Sequence, residues 1–217
     1  GDGDRGLRQK LLIGAGVAIA CTAVLAVTLI ARSYGDYRRA DANLGELEKF
    51  RLILETANLL SAERGPANSV LGEGVKADGP LRERLNVFRA RSDAALERLF
   101  ELSRSAAQRR EMAVPLGLLV PVRDQLARAR REVDRVAALP PEKRSLGDVQ
   151  SVIENMFQVV DIFQAVVSWT ASQLTVSNPA LAAQVTTSRM FGELREYGCR
   201  FASEIMEPIA VRGLQPI

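Results

Sequence analysis

Residues Leu60–Gly72 read LSAERGPANSVLG, and how this stretch is taken decides how many helices the chain has and where they turn. Gly-Pro directly after Glu63-Arg64 has the makings of a helix stop, with Gly65 at the cap and Pro66 unable to extend the hydrogen-bond ladder. Yet Ala67, Val70 and Leu71 keep the helical phase of Leu60 and Glu63. The obvious turn residues come later, in GEGVKADGP (Gly72–Pro80). The spacing therefore predicts a kinked helix running through the stretch. Pro66 cannot donate to the carbonyl of Ala62, and Gly65 permits the close approach of another backbone. Arg64, about one turn past Leu60, falls near the bundle-facing stripe. A guanidinium there needs an anionic partner, because an unpaired buried charge is costly. That partner is either an internal carboxylate or a ligand.

Upstream, Leu44, Leu47, Phe50, Leu54, Ala57 and Leu60 recur at threes and fours among Glu46, Glu48, Lys49, Arg51 and Glu55, one apolar stripe on a helix. Further upstream stands LLIGAGVAIACTAVLAVTLIA, Leu11–Ala31, which carries no charge. Its length matches a hydrocarbon core of roughly 30 Å and exceeds the roughly 7–15 residues of a signal-peptide core. The expectation is a retained transmembrane helix over 11–31 after a short cytoplasmic segment, 1–10. Basic residues flank it on both sides (Arg5, Arg8 and Lys10; Arg32, Arg38 and Arg39), so charge alone does not orient it. The N-terminus is placed in the cytoplasm because a long domain crosses largely regardless of its charge. From Leu11 to Leu60 one continuous helix would span about 75 Å.

Downstream, Leu81, Leu85, Phe88, Ala95, Leu99 and Leu102 mark the next helix. EMAVPLGLLVPVRD, with Pro115 and Pro121, holds a helix start or kinked entry. That helix stops at Pro140-Pro141. Ser145 with Asp148 forms a capping-box pattern, followed by Val149, Ile153, Met156, Val160, Phe163 and Val167. After Asn178-Pro179 a last helix carries Leu181, Val185, Phe191, Leu194, Phe201, Ile205 and Ile209. Short connections imply antiparallel neighbours. The fold class expected is all-α: a transmembrane helix, then an up-and-down helical bundle over 32–217.

Composition narrows the chemistry. Histidine is absent, which removes the commonest general base and the commonest transition-metal ligand. No phosphate-binding glycine loop is present, and Cys21 and Cys199 make no disulfide framework. No catalytic residue, metal or cofactor is expected. Pro80–Arg144 holds 15 Lys and Arg against 9 Asp and Glu, while Ser145–Ile217 holds 4 against 7. Acidic residues are interspersed through the basic middle, and aromatic side chains for base stacking are scarce. It is read as a solvated helix face rather than a nucleic-acid surface.

A second stretch, LREYGCRFASEIMEPIA (Leu194–Ala210), loosely echoes the first. Arg195 and Arg200 bracket Glu196 and Gly198, much as Glu63 and Arg64 precede Gly65 and Pro66. With SAERGPAN and REYGCR in place, the chain resembles the extracytoplasmic all-helical sensor region of bacterial chemoreceptors and related signal transducers. It is similar in particular to the nitrate- and nitrite-sensing domain family. The resemblance covers roughly residues 36–217 and implies two helical hairpins whose arginines bind a small anion. Arg64 matches the first-half arginine. Phe201-Ala202 stand where the family tends to carry Glu-Arg, which leaves Arg195 or Arg200 as the second. The resemblance further implies a homodimer in the bacterial inner membrane with its main domain in the periplasm. The chain begins without Met and ends at Ile217, and is expected to be a fragment whose output module lies elsewhere. A rival expectation is a ligand-free bundle that dimerises or docks another membrane protein.

Overall fold

The structure is a computed structural model that describes residues 2–72, 79–109 and 113–212. Within these, the side chains of 2–23, 36–43, 109, 141 and 203–212 lie outside the description. The described residues form helices α1 (Asp2–Ala62), α2 (Arg64–Gly72), α3 (Pro80–Arg109), α4 (Leu116–Ala137), α5 (Leu146–Ser177) and α6 (Ala182–Arg212). Single 3₁₀ turns at Pro141–Lys143 and Pro179–Leu181 complete them, and no strand occurs among the described residues. The chain is all-α. It divides into two compact units, Gly1–Glu46 and Leu47–Ile217.

In the first unit Val24, Leu25, Val27, Leu29, Ile30 and Tyr34 are all exposed. Thr28 donates its hydroxyl to the carbonyls of Val24 and Leu25 at 2.9 and 2.8 Å, so this polar group is satisfied within its own helix. Among the described residues no helix is long and apolar enough to cross a membrane. Residues 11–23 of the expected span are helical, but their side chains lie outside the described ones.

The second unit is a helical bundle. The break at LSAERGP is a single residue wide: Glu63 separates α1 from α2. The i→i−4 ladder closes on both sides of it, Glu63 N–H to Leu59 at 3.1 Å and Ala67 N–H to Glu63 at 3.2 Å. Pro66 lacks the N–H that would serve Ala62, and helix resumes at Arg64 after the one-residue break. Gly65 plays a different part from the one expected. A Cβ placed on it would meet nothing within 4 Å, and the same holds for Gly198. Neither glycine serves a close backbone approach.

Contacts between named residues give the helix directions. Arg89 meets Asp134 while Asp93 meets Arg130, so α3 and α4 run antiparallel. Gln125 meets Gln158 while Arg135 meets Asp148, so α4 and α5 do as well. Asn58 meets Arg195 and Ser61 meets Glu196, so the end of α1 runs parallel to α6. The bundle alternates up and down as expected. Ser145 caps α5 in a reciprocal box with Asp148, and α4 starts directly after Pro115.

The core joins Phe50, Ile53 and Leu60 to Leu71, Leu85, Leu99, Leu119, Leu126, Val133, Met156, Phe163 and Leu174. All six α5 positions expected to be apolar-in are buried. Leu44 and Leu102 are exposed instead of buried. The larger correction concerns α6. Leu181 and Val185 are buried, but Phe191, Leu194 and Phe201 face outward, because ion pairs turn a polar face of α6 towards the bundle. Ile205 and Ile209 lie outside the residues whose side chains are described.

Candidate functional site

At the α1–α2 junction two adjacent charged residues are buried and point to different helices. Glu63 is fully buried, and Arg64 is 3% exposed. Consecutive side chains on a helical backbone stand about 100° apart, which sends the two to different neighbours.

Glu63 accepts a bidentate pair from Arg130 of α4, Nε to Oε1 and Nη2 to Oε2, both at 2.8 Å. Arg130 also donates to Asp93 of α3 at 2.6 Å and to the Arg89 carbonyl at 3.2 Å. Burial alone would lower the Arg130 pKa, but the hydrogen bonds and charges of Glu63 and Asp93 raise it overall. Arg89 stands alongside with both terminal nitrogens on Asp134 at 3.0 Å. Its Nε is 3.8 Å from Glu63 and makes no hydrogen bond. This network ties the junction to α3 and α4.

Arg64 turns to α6. Its Nη1 donates to Glu196 Oε1 at 2.8 Å and its Nη2 to Oε2 at 3.0 Å, the planar fork-on-carboxylate geometry. Nη2 also donates to Ser61 Oγ at 2.7 Å and Nε to the Ser61 carbonyl at 3.2 Å. The Ser61 hydroxyl in turn donates a hydrogen bond to Glu196 Oε2 at 2.7 Å. Arg200 donates its Nε to Glu196 Oε1 at 2.9 Å, and its Nη2 bonds Asp161 of α5. The guanidinium carbons of Arg64 and Arg200 lie 4.8 and 5.1 Å from the Phe157 ring centroid, within cation–π range.

Glu196 thus receives four donors, two on each oxygen, which fills the acceptor capacity of a carboxylate. Burial alone would raise its pKa. The hydrogen bonds from Ser61 and Arg64, the Arg64 charge and the Arg200 bond outweigh burial, and hold the group below the usual glutamate value. Arg200 is shifted the other way: burial lowers its pKa, but Asp161 and Glu196 raise it overall.

Of the residues singled out from sequence, Arg64, Arg200 and Glu196 converge, and Glu63 and Pro66 form the junction. Arg195 does not join them. It is exposed, donates to the Asn58 carbonyl of α1 at 3.0 Å and lines the cleft beside Glu196 without touching its carboxylate. The anion that Arg64 required is therefore an internal carboxylate. Sequence reasoning missed Ser61, Phe157 and Asp161, which contribute from elements whose adjacency no local pattern encodes. It also missed Arg144, a buried side chain that donates to the carbonyls of Leu71 at 2.8 Å, Ala137 at 2.9 Å and Leu139 at 2.9 Å. Its charge closes the C-terminal ends of α2 and α4 together. The stop at Pro140-Pro141 followed by a basic residue was the available signal.

Beside Glu196 a narrow cleft between α1, α5 and α6 is lined by Asn58, Ser61, Gln164, Arg189 and Glu193, with about 20 Å³ of room. That holds about one water. Among the described residues no group of His, Cys, Asp and Glu is placed to hold a metal ion. Comparison with protein-family models, curated proteins and solved structures finds no match to the chain.

Proposed function

We propose that the chain is the ligand-sensing region of a bacterial transmembrane signal receptor. In this reading residues 11–31 anchor it in the inner membrane, and residues 32–217 form a periplasmic sensor without enzymatic activity. The exposed apolar side chains of residues 24–34, with Thr28 satisfied inside its own helix, suit a hydrocarbon surrounding.

The observation that carries the proposal is the meeting of Arg64 and Arg200 on one carboxylate. Two guanidinium groups from opposite ends of the chain share a planar, two-oxygen anion supplied by Glu196. A small planar anion offers the same oxygens to the same donors. The adjoining cleft has room for about one water, so an anion enters only by displacing the carboxylate. Displacement releases α6 from Ser61 and Arg64, and binding becomes movement of α6 along α1. A ligand acts in this way because it binds the released state better than the closed one.

The test is calorimetry and thermal shift of the full chain with nitrate, nitrite, formate and acetate, using chloride at equal ionic strength as control. Saturable binding that Arg64→Ala abolishes, and that tightens when Glu196→Ala vacates the fork, is the expected result. Absence of saturable binding in both the natural chain and Glu196→Ala refutes the anion-sensor reading and leaves the ligand-free bundle.

A further inference from the structure

Helix α5 brings two groups to the Arg64–Glu196–Arg200 cluster, Phe157 and Asp161, one turn apart on the same face. Phe157 is partly buried and packed against the core, so α5 fixes its ring. The guanidinium carbons of Arg64 and Arg200 both lie over that ring, 4.8 and 5.1 Å from its centroid. These same two arginines meet on one oxygen, Oε1 of Glu196. Two cations are thus gathered on one carboxylate and on one aromatic ring.

Without the carboxylate, Arg64 keeps two bonds, both to Ser61 three residues back along the chain. They tie the guanidinium to its own backbone and not to α5 or α6. Arg200 keeps Asp161. None of these bonds joins the two cations, which repel each other. Among the described residues, the negative face of the Phe157 ring is the group they still share. A second ring, Phe100, also lies under two arginines, Arg104 and Arg123, at 5.4 and 5.1 Å. There both cations are half-exposed and water serves them. Arg64 is buried, and a desolvated cation holds an aromatic face more strongly.

We infer that Phe157 is the positioning residue of this site: its ring keeps Arg64 and Arg200 side by side once Glu196 has left. The N–H groups that Glu196 gives up then stay gathered for one incoming anion, which is spared the cost of assembling them. The ring also holds the turn of α6 that carries Arg200 against α5, while Glu196, one turn earlier, moves. The use made of the paired arginines rests on the anion-sensor reading above, whereas their pairing by the ring does not.

Fluorinated phenylalanines at position 157 of the full chain, in mild detergent, test it, because each added fluorine weakens the ring's negative face at nearly constant volume. The mono-, di- and trifluorinated series is made in Glu196→Ala. A matching series at Phe163, buried in the same helix, corrects for the effect of fluorine in the core. The expected result is a urea midpoint that falls stepwise at 157 beyond any change at 163, with formate affinity falling in the same steps. Across the series the loss of affinity should reach roughly two- to thirtyfold, the strength of one such contact from exposed to desolvated. If Glu196→Ala does not fold, the natural chain carries the same two series, with the same stepwise fall in midpoint expected. Parallel series at 157 and 163 overturn the inference, as does a formate affinity indifferent to fluorine. A stepwise midpoint without saturable formate binding upholds the pairing of the arginines by the ring and refutes the anion-sensor reading alone.

Discussion

Replacing Glu196 with alanine removes the acceptor of four hydrogen bonds, and the cost divides unequally among the donors left behind. Arg200 keeps Asp161 and is 30% exposed, so water can take over its lost bond. Ser61 loses an acceptor at 2.7 Å. Arg64, 3% exposed, keeps only the two bonds to Ser61, and its charge stays in the core. Breaking a buried pair from one side costs about 3–5 kcal/mol, and most of that falls on Arg64. For a domain of this size the cost lowers the melting temperature by roughly 6–20 °C.

The assay is urea unfolding followed by helical circular dichroism, with a closed cycle of Arg64→Met, Glu196→Leu and the double variant Arg64→Met/Glu196→Leu run beside Glu196→Ala. An apolar pair in place of the ions leaves no uncompensated charge. The double variant should regain much of the loss, with a coupling energy of about 0.5–3 kcal/mol. Strictly additive effects, or a Glu196→Ala cost below about 1 kcal/mol, would refute the view that this carboxylate neutralises Arg64.

Three further outcomes follow from the same contacts. The folded chain holds Glu196 below its ordinary value of 4.5, so it binds fewer protons than the unfolded chain. Its contribution is full above that value and is lost as pH falls through the lowered one. Glu196→Gln should flatten the acid limb of a stability–pH curve, and an unchanged slope would count against the shift. Gly65→Ala should be neutral or stabilise by about 0.5–1 kcal/mol, since a Cβ there meets nothing and glycine is a poor helix former; marked destabilisation in chemical denaturation would show a hidden constraint. Arg144→Met, which removes the donor to three carbonyls, should cost roughly 1.5–3 kcal/mol and speed amide exchange at the ends of α2 and α4. Uniform exchange across the bundle would contradict its capping role.

The LSAERGP stretch shows how far local pattern reaches. Phase alone predicted that the helix resumes after Pro66, because the apolar spacing of Leu60, Ala67, Val70 and Leu71 reflects one buried stripe. The same periodicity located α3 and α5, while prolines at 115 and 140–141 bracketed α4 between them. It failed on α6, where Phe191, Leu194 and Phe201 carry an equally clear stripe that faces outward. Periodicity reports that a helix has an apolar side. It does not report which of two sides the rest of the fold will use.

By itself, then, the sequence determined an all-helical chain, its break points, and the need of Arg64 for an anion, all consequences of backbone sterics and of the cost of burying charge. Which anion answers that need depended on tertiary structure, because Glu196 stands 132 residues from Arg64 and reaches it only once α6 lies parallel to α1. The same packing sent Glu63 to Arg130 and its neighbour Arg64 to Glu196. Two adjacent charges came to hold separate parts of one bundle because a helix places consecutive side chains about 100° apart, against different neighbours.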